Sequence, residues 1–297
     1  MNEKPTYCFI INCASNSKKA ESFFRSKESL MREAFPNSTF VYVGKHDSIR
    51  DIVKDKSRSF SHIIACGGDG TVNQVVHGLY GTNCMFGVLP LGSGNDFAQS
   101  SGIPMEFSQS LNVLLSGKTK LVDLISYNNG FFINTCGIGL DGLTNFYAST
   151  SKYKSGFLKY FSSGLKALIS ADLFTISIVL PKFNSPIVRK VWMATIANGA
   201  TEGGSYRISP SSQNDDGRAE LILVNGISRF RLFIEFIKLS IGLPFGEHVV
   251  ESFTFSRSVQ IAVESPQKVH MDGENVVLQE NPSVFEFHKG VINVLVP

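Results

Sequence analysis

This 297-residue chain has no CxxC pair, no GxxxxGK[ST] loop and no HExxH pair. Those absences exclude a thiol–metal framework, a Walker-type phosphate loop and a zincin site. Cysteine is scarce: the five residues (Cys8, Cys13, Cys66, Cys84, Cys136) are odd in number and mostly lie in apolar runs, so they read as reduced, buried thiols. The six histidines show no metal-ligand spacing. Charge is sparse at 18%, and its balance, 28 − 25 = +3, lacks the concentrated basic excess of a nucleic-acid binder. It does suit a protein that meets anionic substrates or an anionic membrane surface. The longest stretch without Asp, Glu, Lys or Arg, Gly70 to Asn95, is broken by Asn73, Gln74, His77, Asn83 and Pro90, so it is not a membrane span. The opening Met1-Asn2-Glu3-Lys4-Pro5 lacks the basic-then-apolar pattern of a secretory leader, and a cytoplasmic protein is expected.

What is present is a change of character along the chain. Up to about residue 118, short apolar runs (Tyr7–Asn12, Ser38–Val43, His62–Cys66, Met85–Leu89) alternate with helical patterns over Lys18–Ala34, a charged stretch, and Thr71–Tyr80. Such alternation predicts a parallel sheet with helices on both faces, binding ligands at the carboxyl ends of its strands. From about Lys120, β-branched and aromatic runs dominate. They include Leu121–Tyr127, Phe131–Cys136, Phe174–Leu180, Val188–Ala197, Ala219–Val224, Val276–Leu278, Val284–Phe287 and Val291–Val296. Helical patterns interrupt them over Gly156–Ser170 and Phe230–Ile241. The fold class predicted is an α/β nucleotide-binding domain over residues 1–122 and a β-rich sandwich over residues 123–297.

Two glycine loops close two of the early strands. The first, Gly67-Gly68-Asp69-Gly70-Thr71-Val72-Asn73, lets backbone approach a ligand and aims a helix N-terminus at it, a phosphate site by construction. Asp69 would repel phosphate, so its presence suggests Mg²⁺; a tight turn with Asp69 as cap explains the residues equally well. The second loop, Leu89-Pro90-Leu91-Gly92-Ser93-Gly94-Asn95-Asp96-Phe97-Ala98, repeats the arrangement, with Asn95 or Asp96 as the helix cap.

The pair GGDGT–N and PLGSGNDFA resembles the diacylglycerol kinase catalytic domain family, and within it the soluble bacterial lipid kinases related to diacylglycerol kinase B. The likeness runs from Ile11-Asn12 to Val294-Leu295-Val296-Pro297. It implies phosphorylation of a lipid hydroxyl with ATP and Mg²⁺ as cofactors. ATP contacts would come from Asn12, Ser15, Gly44, Gly67, Gly68, Asp69, Gly70, Thr71, Asn73 and Ser93. Two departures stand out: Asn12-Cys13-Ala14-Ser15-Asn16 replaces the family's Asn-Pro-x-Ser-Gly, and Gly44-Lys45 follows the second strand where the family often has Thr.

Phosphoryl transfer to an alcohol needs a base near the hydroxyl and cationic charge on the phosphates. His270-Met271-Asp272-Gly273-Glu274-Asn275 reads as a hairpin turn, which alone would explain Asp272 and Gly273. The resemblance makes Glu274 the proton acceptor, Asp272 its partner and Asp69 a third catalytic carboxylate. Gln213-Asn214-Asp215-Asp216-Gly217-Arg218 is a second acidic turn. By resemblance it holds a structural Mg²⁺ through Asp216 and the carbonyls of Gln213 and Arg218. Lys152, Lys154, Lys159 and Lys166 accompany Leu158, Tyr160, Phe161, Leu165 and Leu168, and Arg229-Phe230-Arg231 opens a similar stretch. These fit docking on an anionic membrane surface, but read more simply as helices covering a sheet. The expected protein is therefore peripheral at the inner face of the membrane, with a membrane lipid substrate, no nucleic acid, and by resemblance a homodimer. NAD phosphorylation, a sphingoid or other lipid alcohol as acceptor, and a non-catalytic nucleotide- or lipid-binding role are the alternatives.

Overall fold

The computed structural model describes residues 5–15, 19–128, 130–153, 157–204 and 206–297. Asn16 and Lys154, singled out above, lie outside the described residues. The chain divides into two compact units: Met1–Val122 with Gly290–Pro297, and Asp123–Lys289.

In the first unit, β1 (Tyr7–Asn12), β2 (Ser38–Val43), β3 (His62–Gly67) and β4 (Met85–Pro90) pair in parallel in the order β2-β1-β3-β4. The four central residues of β1 are fully buried, as in a parallel strand covered on both faces. Helices α1 (Ala20–Ala34), α2 (Ile49–Lys56), α3 (Asp69–Leu79), α4 (Asp96–Ser100) and α5 (Phe107–Ser116) complete the unit. α1 turns Phe24 and Met31 inward and keeps a Glu21–Arg25 pair in solvent. The core gathers Phe9, Phe24, Met31, Phe35, Ile64 and Leu89 with Leu295 from the far end of the chain.

That last residue marks a difference from the expected division. The two runs Val284–Phe287 and Val291–Val296 form one strand, β15 (Ser283–Leu295), whose second half pairs in parallel with β4 through Asn293↔Met85 and Val294↔Phe86. Residues 290–297 thus belong to the first unit, where they extend its parallel sheet beyond β4.

The second unit is antiparallel. Beyond β5 (Thr119–Tyr127) it holds β6 (Gly130–Phe132), β7 (Thr135–Gly139), β8 (Phe174–Val179), β9 (Ile187–Ala197), β10 (Ala219–Asn225), β11 (Val250–Phe255), β12 (Ser258–Val263), β13 (Val269–Met271) and β14 (Glu274–Val276). Strand order runs β14-β13-β7-β9-β8-β12-β15, with β10 and β11 branching from β9. Ile138, Phe174, Ile176, Ile196, Leu221 and Phe285 form its core. The predicted run Phe131–Cys136 is broken into β6 and β7, because the backbone at Ile133 and Asn134 bonds elsewhere, as described below. Helices α6 (Leu140–Ser149), α7 (Phe157–Ser170) and α8 (Arg229–Ser240) share a second apolar cluster with Trp192, Met193, Tyr206 and Val224. Among the described residues no helix is long and apolar enough to cross a membrane.

Candidate active site

The two glycine loops meet in the first unit. A Cβ on Gly68 would stand 2.9 Å from the Gly92 Cα, so only glycine lets the loops touch backbone to backbone. Asp69 binds the loops together: its carboxylate accepts the Asn95 N–H at 2.6 Å and the Phe97 N–H at 3.3 Å, capping α4. Asn95, at φ +56°, closes its own loop by accepting the Gly92 N–H and donating to the Gly92 carbonyl. α3 starts at Asp69, two residues before the predicted Thr71, since Gly68 already adopts the extended cap conformation.

Across the strand ends, Asn12 Nδ2 donates to Thr71 Oγ1 at 3.0 Å and Ser15 Oγ lies 3.3 Å from the same hydroxyl. A side chain at Gly67 would overlap Thr71 and crowd Ser15. Asn12, Ser15, Gly67 and Thr71 therefore share one small area, with Gly68, Asp69, Gly70 and Asn73 on the same loop and helix start. Ser93 is exposed at the tip of the second loop. Gly44 differs: its N–H is taken by the Asp47 carboxylate at 2.6 Å, so that amide is not offered to a phosphate.

The second unit presents an acidic hairpin. Met271 pairs with Glu274, and Asp272 (φ +46°) and Gly273 (φ +83°) form the two-residue turn between them. The Asp272 carboxylate is occupied: Oδ2 accepts the Ile133 N–H at 2.9 Å, and Oδ1 accepts those of Asn134 (2.9 Å) and Thr135 (3.1 Å). These bonds split β6 from β7 and lock the turn. Asn145 adds a second tether, donating to the Gly273 carbonyl at 2.8 Å and to Asn275 Oδ1 at 2.9 Å. Glu274 leaves this anchored turn exposed to solvent.

Behind the turn lies a cluster that sequence reasoning missed. His270 is completely buried, with Nε2 2.7 Å from Glu202 Oε1 and 3.4 Å from Asp141 Oδ1. Thr195 donates to the other Asp141 oxygen at 2.7 Å. Gly137 must be glycine here, since a Cβ would overlap the Asp141 carboxylate. Burial disfavours the imidazolium, but the carboxylates of Glu202 and Asp141 outweigh it and hold His270 well above its usual range. Burial and the neighbouring Asp141 charge push the Glu202 carboxyl up. The Gly273 N–H approaches His270 Nδ1 at a long 3.3 Å, a bond that needs that nitrogen unprotonated. One weak neutral bond competes there against two close carboxylates, and the carboxylates prevail.

Asp141, Asn145 and Glu202 also line a cavity of about 90 Å³, walled by Leu140, Met193, Val224, Leu232, Phe236, Leu239 and Phe245. Its lining surface is almost wholly apolar.

Residues 6–127 match the diacylglycerol kinase catalytic domain, and residues 134–296 match the YegS C-terminal NAD kinase beta sandwich-like domain. Among curated proteins the chain is 31% identical to "Diacylglycerol kinase" of Bacillus subtilis, covering 73% of this chain and 72% of that one. It is 29% identical to a "Probable lipid kinase YegS-like" of Chromohalobacter salexigens over 77% and 74% of the two chains. The chain belongs to the diacylglycerol kinase catalytic domain family. It is a lipid kinase, with the two-domain α/β plus β-sandwich-like fold of that family. Among solved structures, a putative diacylglycerol kinase from Bacillus anthracis shares the fold with a TM-score of 0.81 at 20% identity, covering 100% of this chain and 99% of the other.

Membership in a lipid kinase family implies ATP as phosphoryl donor and a divalent metal. In the turn at 213–218, expected by resemblance to hold a structural Mg²⁺, the Asp216 carboxylate is already paired. Asp216 Oδ2 accepts the Arg218 Nε–H at 2.8 Å and Oδ1 the Arg218 N–H at 3.1 Å, so a cation there would compete with the guanidinium for this carboxylate. The turn is also pinned from inside: buried Asp123 accepts the Gly217 N–H at 2.8 Å and donates its own N–H to the Asn214 carbonyl at 2.7 Å. Of the cationic residues at α8, Arg229 is structural, donating to the carbonyls of Leu168 and Ala171 and stacking 4.8 Å above the Trp192 ring.

Proposed function

We propose that this lipid kinase moves the γ-phosphoryl group of Mg²⁺-ATP onto the free hydroxyl of diacylglycerol, giving phosphatidic acid. The observation that carries this reading is the hairpin turn whose Asp272 is consumed by three backbone N–H groups while Glu274, two residues on, stays exposed. A carboxylate already saturated with hydrogen bonds is a poor base; its neighbour keeps its lone pairs for a substrate proton. In the reaction Glu274 takes the hydroxyl proton, the freed oxygen bonds to the γ-phosphorus, and the bond from that phosphorus to the ADP oxygen breaks. The first unit's part is grip: backbone amides of the two glycine loops, with Thr71, Ser15 and Asn12, receive the triphosphate that Mg²⁺ accompanies. Asp69 supports them by fixing the second loop.

The apolar cavity beside α6 and α8 would take an alkyl chain of the acceptor. Phe230 (75% exposed), Ile241 and Leu243 lie bare on and after α8, apolar surface that supports reversible docking on the inner face of a membrane.

The test is transfer of labelled γ-phosphate from Mg²⁺-ATP to a panel of diacylglycerol, monoacylglycerol, a sphingoid base and NAD. Diacylglycerol should be labelled, and Glu274→Gln should lower the rate by about 10²–10⁴-fold with the melting temperature unchanged. Label on NAD alone, or full activity in Glu274→Gln, would refute the assignment.

A further inference from the structure

Glu274 sits on an exposed hairpin tip, and its neighbours Gly273 and Asn275 are exposed as well. A tip of this kind has few buried contacts and moves easily unless it is tethered. Asp272 supplies one tether, to the backbone at residues 133–135. The other is the side chain of Asn145, only 8% exposed, in the middle of α6. Its Nδ2 reaches both neighbours of Glu274, donating to the Gly273 carbonyl at 2.8 Å and to Asn275 Oδ1 at 2.9 Å.

The orientation of these amides is dictated. A backbone carbonyl can only accept, so the Asn145 atom facing Gly273 must be its nitrogen. That turns the Asn275 oxygen toward Asn145 and leaves the Asn275 nitrogen for Ser149 Oγ, 3.2 Å away on the last turn of α6. Gly142 shows how closely the helix lies on the hairpin: a Cβ there would overlap the Lys268 carbonyl, just before β13. Gly142, Asn145 and Ser149 follow the i, i+3, i+7 spacing of a single helix face. Leu140, Thr144 and Asn145 also line the apolar cavity, so the wall of that cavity and the support of the hairpin are one element.

A general base works by being in the right place, and a misplacement of about 1 Å can cost ~10²-fold in rate. The fold itself asks less of Asn145. Gly273 and Asn275 are exposed, so water replaces a lost donor, while β13 stays paired with β7 and Asp272 stays anchored. We infer that Asn145 is a positioning residue of the reaction, holding Glu274 in register with the acceptor hydroxyl through the Gly273 carbonyl and Asn275. The inference rests on the reading of Glu274 as the base and names the residue that aims it.

The experiment measures transfer of labelled phosphate from Mg²⁺-ATP to 1,2-dioctanoylglycerol by wild type, Asn145→Ala, Glu274→Gln and the double variant. Asn145→Ala should lower kcat by about 10–10²-fold. The KM values for ATP and lipid should stay within about twofold of wild type. Because Asn145 acts through Glu274, the double variant should be no slower than Glu274→Gln alone. A residue that merely braced the fold would slow the Glu274→Gln background as well. Asn275→Ala removes one of the two bonds from the exposed side and leaves α6 intact, so it carries the test if Asn145→Ala does not fold. Its kcat should fall by about 2–10-fold, the effect of one neutral hydrogen bond. Wild-type kcat in a folded Asn145→Ala, unchanged kcat in Asn275→Ala, or full additivity in the double variant would overturn the inference and leave Glu274 as the base. Wild-type activity in Glu274→Gln would remove the base, and the inference with it.

Discussion

Two turns of the second unit carry the same dipeptide, Asp216-Gly217 and Asp272-Gly273, and both glycines take positive φ. Their carboxylates have opposite lives. Asp216 turns to its own chain's Arg218, a pair in which the arginine side chain is 56% exposed and the aspartate 18%. Asp272 faces inward and organises the backbone of Ile133, Asn134 and Thr135. An acidic turn in a sequence is therefore one signal with two outcomes, decided by whether unpaired N–H groups or a mobile cation reach it first. The first outcome freezes a loop and frees the next acid for chemistry; the second is a local ion pair with its arginine in solvent.

That contrast can be broken experimentally. Asp272→Ala should be the larger perturbation, stranding three backbone donors at a cost of about 2–4 kcal/mol. For a unit of this size that lowers the melting temperature by roughly 4–16 °C, read by calorimetry. A loss below that of Asp216→Ala would erase the distinction between the turns.

A middle-sized effect comes from His270, behind the inward-facing turn. Its pKa is raised in the folded chain over an ordinary value of 6.5, so its ion pairs with Glu202 and Asp141 stabilise fully below that pH. The contribution drains away as pH climbs through the raised value. Urea midpoints of wild type should fall on the alkaline side, and His270→Gln should flatten that limb; parallel curves for the two proteins would contradict the ion-pair picture.

The smallest effect belongs to Asp216→Ala, expected to cost about 1 kcal/mol because the solvent-exposed arginine screens the pair. Adding Mg²⁺ or a chelator should leave the wild-type melting temperature in place. A melting temperature that rises with Mg²⁺ and loses that response in Asp216→Ala would restore a cation to the turn.

Much of the first unit was legible in the residues. Buried runs such as Tyr7–Asn12, interrupted by Gly67-Gly68 and Gly92-Ser93-Gly94, carry strand and turn chemistry within a few positions of each other. The Asp272-Gly273 hairpin was legible for the same reason. Two kinds of feature were not. Side chains that converge from β13, α6 and the loop after β9 have no spacing to read, so Asp141, Glu202 and His270 gave no signal as a group. Nor do residue types tell which partner a carboxylate finds: Asp69 reads equally as a metal-linked acid or a cap, and in the structure it accepts the Asn95 and Phe97 amides of the other loop. The break between β6 and β7 follows from the same blindness, since its cause sits far along the chain at Asp272.

β15 begins in one unit and finishes in the other's sheet, with Leu295 in the core beside Phe9. On the ribosome, most of the first unit emerges before the second, yet it lacks a partner for β4 until residues 290–297 have been made. Translation must therefore run through the whole second unit before the glycine loops can stand on a finished scaffold, and residues 1–122 expressed alone would be a half-built object rather than a module.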